Sequence, residues 1–241
     1  MTEEDLWSAP VAGAPFTSRS LAHLALAGLA RETADWARAI VPVGPRPDQA
    51  YGGVLVGDAA ALVERAQQVL AAAVLVERDD GADWSEIAAA LGLTADEALS
   101  RWELAHHEWS QTRPGCPVDA AAGEQARAGE LAELDAWVVR HREPGDPAAG
   151  AAPVSAVMTR QHPLLELLHL QGLERRYTDD YGPASAERAA VLARQASVHE
   201  DLAERAETAD VADEHRSCAA ALRRTLGQLG GTDNAAEPID R

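Results

Sequence analysis

Lysine is missing from this chain. All 21 of its basic residues are arginine, against 39 aspartates and glutamates, and the formal net charge is −18. A polyanion of this kind is repelled by nucleic acid and by anionic lipid unless its charge is locally segregated. Translation from a GC-rich genome accounts for the missing lysine, and for the abundant alanine, more simply than a functional preference for arginine. Aromatic residues are also scarce, at 4%, and six of them are tryptophan. A core must therefore be built mostly from Ala, Leu and Val, and the shortage of strand formers favours helices. The two cysteines, Cys116 and Cys218, stand alone without CxxC spacing, which indicates neither a zinc knuckle nor a disulfide framework. No apolar run approaches the ~20 residues of a membrane span; the best, Val69 to Val76, is too short. The start, Met1-Thr2-Glu3-Glu4-Asp5, is acidic where a signal peptide is basic. The expected location is therefore the cytoplasm, with no membrane partner. Catalytic signatures are lacking as well. Gly52-Gly53 and Gly57 come without the Lys-Ser/Thr of a phosphate loop, and there is no G-x-S-x-G, H-E-x-x-H or Cys–His nucleophile arrangement. A non-enzymatic protein without a cofactor is expected.

Hydrophobic residues make up 46% of 241, enough to bury a core and too many for a disordered chain. The expected fold class is all-α. Ala22, Leu26, Leu29, Thr33, Trp36 and Ile40 recur at alternating spacings of four and three, predicting a helix over Ser18–Ile40 that ends at Val41-Pro42. Residues 1–17 read as a loose leader, and Pro42 to Gly57 as a connector. Asp58 is the expected N-cap of a helix reaching Arg78. Two short helices follow, Trp84 to Leu91 and Ala95 to Gln111, and then Ala120 to Arg142 with Leu131, Leu134, Trp137 and Val138 on one side. A helix from Pro163 to Tyr177 precedes a turn to Pro183. Two stripes divide the rest: Val191, Leu192, Val198, Leu202 and Ala206, then Val211, Cys218, Ala219, Leu222, Leu226 and Leu229. They predict an antiparallel helical hairpin broken near Thr208 to Asp210, with one long coiled-coil helix as the competing arrangement. The expected organisation is an N-terminal helical domain over 1–142, a linker over 143–154, a C-terminal hairpin domain over 155–230 and a disordered tail over 231–241.

One segment carries a specific pattern. In DWSEIAAALGLTADEALSRW (Asp83 to Trp102), Asp83 with Glu86 and Thr94 with Glu97 are capping-box signatures. Between them Gly92 supplies the positive φ of a tight turn. Ile87, Ala88 and Leu91 face inward, Leu93 plugs the corner, and Ala98 and Trp102 pack back. The segment resembles the helix-turn-helix of actinobacterial DNA-binding proteins, over about residues 58–110. That resemblance implies an outward second helix whose DNA- or partner-facing residues are Thr94, Ala95, Asp96, Leu99, Ser100, Arg101 and Glu103. Reading bases normally takes Arg, Lys, Asn or Gln at the outward positions. From Gly81 to Thr112 there are six carboxylates against the single base Arg101, a net charge of −5. Arg65, Arg78 or Arg113 are candidates to supply the missing positive charge in a dimer, and Leu99 is a candidate apolar anchor for a protein.

Other constellations are weaker. Glu103-x-x-His106 and Glu166-x-x-His169 have the spacing of di-iron bundle ligands, but two further inward Glu residues are needed. His162, Glu166 and His169 share one helical face, whose plainer reading is a polar stripe opposite Leu164, Leu165, Leu168 and Leu167. The adjacent His106 and His107 diverge on a helix and do not chelate together. His199 and His215 fall near the two C-terminal stripes, where they could meet as a buried polar pair or a pH-sensitive element. Asp179-Asp180, beside Tyr177 and Tyr181, reads as a solvated turn. The sequence thus predicts a helix-turn-helix regulatory protein, with DNA as one partner and a protein or a second copy as the alternative. A metal-binding helical protein comes third.

Overall fold

The computed structural model describes residues 10–41, 52–111, 120–143 and 150–232. These residues are all-helical, with eight α-helices and no β-strand among them. In chain order they are α1 (Ser18–Ile40), α2 (Val54–Asp79), α3 (Trp84–Leu91), α4 (Ala95–Gln111), α5 (Ala120–His141), α6 (Pro163–Tyr181), α7 (Ala186–Arg205) and α8 (Ala209–Thr232). A 3-10 turn, Ser155–Val157, precedes α6. The described residues form two compact units. One holds those within 1–16, 114–127 and 160–241, the other those within 17–113 and 128–159.

In the second of these units α1 packs on α2, α2 on α4, and α3 on α4. Thr17 opens α1 by accepting from the Ser20 backbone N–H. The α2 helix starts four residues before the expected Asp58, at Val54, behind Gly53 in the left-handed region at φ 91°. Asp58 is thus inside the helix, and its carbonyl accepts from Trp36 Nε1 at 3.2 Å. Glu64-Arg65 and Gln67-Gln68 break the apolar run in the sequence. Nevertheless α2 contains an 18-residue window of mean hydropathy 1.4, so by length and composition it is long and apolar enough to cross a membrane. That corrects the expectation that no segment comes close. Val54, Leu55, Val56 and Val63 on α2 are exposed. Further along the chain Asp135, 8% exposed, accepts from the backbone N–H groups of Val154 and Ser155 at 2.7 and 3.1 Å and so anchors the 3-10 turn to α5.

The other unit is organised around α7, which packs on both α6 and α8. Its core is Val11, Leu167, Leu170, Leu173, Val191, Val198 and Leu202, with Tyr177 against it. Burial of each large member contributes ~1.5–3 kcal/mol. Three of the four leucines expected inside α6 face outward: Leu164, Leu165 and Leu168 are 50–63% exposed, whereas Leu167 is buried as expected, together with Pro163, Glu166, Leu170 and Leu173. Arg194 makes this arrangement affordable by meeting both Glu166 oxygens, at 2.7 and 3.2 Å. α6 also runs one turn past Tyr177, to a Gly182 cap at φ 89°, so Asp179 and Asp180 are helical rather than in a loop. Residues 10–16 are not loose either. Val11, Ala14 and Phe16 are buried, and arginines hold the backbone: Arg205 on Pro10 O, Arg194 on Ala12 O and Arg160 on Ala14 O. The chain leaves helical conformation at Ala206–Thr208, between α7 and α8. The expected tail lies mostly outside the described residues, as do residues 1–9 of the leader and 144–149 of the linker.

Candidate interaction surface

The two short helices α3 and α4 are fixed by local chemistry. Asp83 Oδ1 accepts from the N–H groups of Ser85 and Glu86 at 2.8 and 2.9 Å, and Glu86 accepts in return from Asp83 N–H at 2.8 Å. The second box repeats this pattern, Glu97 N–H donating to Thr94 Oγ1 at 3.3 Å and Thr94 N–H to Glu97 Oε2 at 2.8 Å. Hydrogen bonds donated by the Thr94 N–H and hydroxyl hold the Glu97 carboxyl below its usual range. Between the boxes Gly92 sits at φ 67°, ψ 30°, where side-chain-bearing residues are strained. Leu93 N–H returns to Ala88 O at 2.9 Å and closes the corner.

Behind the corner lies a small core of Val74, Ile87, Ala88, Ala98 and Trp102, bordered by Leu70, Trp84, Leu91 and Leu93. Asp79 at the end of α2 ties down the far end of α4, accepting from Trp109 Nε1 at 2.9 Å and lying 3.8 Å from His106 Nε2. His106 therefore faces Asp79 and Trp84.

Of the seven residues expected to face outward, Thr94, Asp96, Ser100, Arg101 and Glu103 are exposed. Ala95 and Leu99 are half-buried. Leu99, being half-buried, does not project as the expected anchor. The projecting apolar side chain is Leu104, 71% exposed, which the sequence reading missed. Its signal was available: Leu104 falls out of phase with the Ala98–Trp102 stripe, on the polar side of the 3.6-residue repeat. The other exposed residues of α4 are Asp96, Glu97, Ser100, Arg101, Glu103, Ala105, His107 and Glu108. Arg101 lies 4.8 Å from the Trp102 ring centroid.

Two of the three arginines considered as outside donors to this surface are already engaged. Arg65 pairs with Glu32 at 3.5 Å and covers the Trp36 ring at 4.6 Å. Arg78 donates to Ala82 O and covers the Trp84 ring at 4.7 Å. Arg113 lies outside the described residues.

A concavity of about 830 Å³ lies among α1, α2 and the 132–140 stretch of α5, with Trp36, Trp137, Arg31, Asp35, Arg65 and Arg140 in its walls. It is open, and its charges are largely matched internally: Arg31 with Glu133 at 3.1 Å, and Asp35 with both Arg38 and Trp137 Nε1.

The other constellations resolve separately. Glu166 is committed to Arg194, and His162 Nδ1 caps α6 by accepting from Leu164 N–H at 3.2 Å, so neither belongs to a three-ligand set. Among the described residues no group of three metal-ligating side chains converges. His199 and His215 do meet, Nδ1 to Nδ1 at 3.0 Å, with ring centroids 5.2 Å apart. Burial and the facing His215 hold His199 below the ordinary histidine range. Comparison of the chain with protein-family models, with curated proteins and with solved structures finds no match.

Proposed function

We propose that the chain is a non-enzymatic regulatory adaptor, in which α3 and α4 form a helix-turn-helix that engages a basic protein surface. The observation that carries this reading is the composition of the outer side of α4. Leu104 stands exposed on a helix whose other exposed side chains include Asp96, Glu97, Glu103 and Glu108, with Arg101 its one guanidinium. Such a surface repels phosphate and suits a partner that offers an apolar socket ringed by Arg or Lys. In interfaces an exposed apolar side chain of this kind supplies the buried contact, while the surrounding charges steer encounter and exclude wrong partners. The α7–α8 pair is read as a helical hairpin that provides a second, structural half of the adaptor.

The test is cross-linking capture with the full chain, comparing wild type with Leu104→Glu and with Arg101→Ala. The adaptor reading expects a partner rich in basic residues, lost with Leu104→Glu and kept with Arg101→Ala. Loss with Arg101→Ala alone would overturn it.

A second reading, a transcription regulator that binds DNA, is favoured by one observation: the doubly capped corner at Gly92 leaves the first turn of α4 exposed at Thr94 and Asp96. It expects salt-dependent retention of genomic fragments at low ionic strength, and no retention at micromolar protein would dispose of it.

A further inference from the structure

The geometry points to a binding site for a zinc-class divalent metal ion between α7 and α8, with the facing Nδ1 atoms of His199 and His215 as its two protein ligands and solvent completing the shell. The argument begins with distance. Two metal–nitrogen bonds of about 2.05 Å, opened to an angle between about 90° and 110°, place their nitrogens about 2.9–3.4 Å apart. The two Nδ1 atoms are 3.0 Å apart. They are supplied by two different helices that pack against each other, so the backbone presets the bite and little chain entropy is lost on binding.

The surroundings suit a metal as well. One helical turn from His199 lie Ala196, Leu202 and Ala203, all buried, and one turn from His215 lie Ala212 and Ala219, also buried. These apolar flanks limit water competition on the protein side. Both rings are half-buried, which leaves a solvent-facing side for the remaining coordination positions. Glu200, the nearest carboxylate in sequence to His199, is held by Arg223 through paired hydrogen bonds of 3.0 and 3.1 Å, so it does not occupy the site.

Without metal the two nitrogens share one proton, one ring donating from Nδ1 to the other. On binding, the donor ring moves that proton to Nε2 through solvent, so each ring keeps one proton and its charge. Imidazole nitrogen suits zinc, copper and nickel, whereas calcium and magnesium require oxygen. Cys218, three residues beyond His215 on the same face of α8, is half-buried but is not a ligand in this arrangement.

The experiment uses the untagged, metal-stripped full chain titrated with zinc chloride, followed by calorimetry and by the imidazole resonances of its eight histidines. The expected result is one zinc per chain, with the His199 and His215 resonances shifting together and the other six unmoved. His199→Gln and His215→Gln are each expected to weaken binding by at least about tenfold, since even outer-shell losses cost that much. Cys218→Ser is expected to leave it unchanged. No binding at excess zinc, shifts centred on other histidines, or loss of binding in Cys218→Ser with both histidine variants unaffected would each overturn the site. The resonance mapping is made on wild type, so the result stands even where a glutamine variant folds poorly.

Discussion

Arg194 and Glu166 form a closed pair in which the carboxylate, 1% exposed, receives Nε at 2.7 Å and Nη2 at 3.2 Å. The third nitrogen of the same guanidinium donates to Ala12 O at 2.9 Å. One side chain thus neutralises a buried charge on α6 and ties down the segment before α1. Removing it leaves Glu166 buried without a counter-charge. Arg194→Ala is expected to cost about 3 kcal/mol, the lower end for a broken buried pair because the arginine side chain is 19% exposed. Urea unfolding measures this. A double change to Glu166→Met and Arg194→Met is expected to recover most of the loss, and no recovery would mean the pair does more than satisfy itself.

That pair also shows where the sequence stops being readable. The limits of α3 and α4 were legible because their determinants are local: two capping boxes three residues wide and a glycine between them. The buried face of α6 was not, because a glutamate on a helix reads as a solvent-facing residue. Only its partner 28 positions away makes burial tolerable. The segment 10–16 looked loose for the same reason, since the arginines that hold its carbonyls lie more than 140 residues further on. On α4 the charge of the candidate surface was visible in the sequence, but which leucine projects depended on a phase difference of a few positions, and Leu104 takes the place expected of Leu99. The meeting of His199 and His215 was foreseeable from the two apolar stripes, whereas its 3.0 Å separation was not.

Asp135 offers a second stability test. Its carboxylate accepts from two backbone N–H groups and the Ser155 hydroxyl while 8% exposed, so Asp135→Ala strands donors that water reaches poorly. The expected cost is about 2 kcal/mol. Amide hydrogen exchange at Val154 and Ser155 is expected to accelerate with it. Unchanged exchange at these two amides would show that they find other acceptors.

Two glycines are expected to respond in opposite directions to the same substitution. Gly92 is at φ 67° with nothing within 4 Å of an added Cβ, so Gly92→Ala meets backbone strain alone and is expected to destabilise by about 1 kcal/mol. Gly57 is inside α2, also in open space but with ordinary helical backbone, so Gly57→Ala is expected to stabilise by about 0.5–1 kcal/mol. Thermal melts of the two variants beside wild type are sufficient to check the signs.

The histidine pair fixes how stability depends on pH. His199 has its pKa lowered from 6.5 by burial first and by His215 second, so the folded state prefers the neutral ring. As pH falls below 6.5 the unfolded chain takes up a proton that the folded chain resists. Stability is therefore whole above that value and declines as pH drops toward the lowered folded pKa. The carboxyls with lowered pKa values, Glu97 and Glu200, act in the same direction but only below 4.5, so the interval between about pH 6.5 and pH 5 reports on histidine. Urea midpoints measured across that interval are expected to fall for wild type. They are expected to fall less for His199→Gln, which keeps a hydrogen-bonding side chain but cannot charge. Equal slopes in the two proteins would mean that the facing rings tolerate a second proton, by parting at little cost, and the pair would then hold α7 and α8 together no better at neutral pH than in acid.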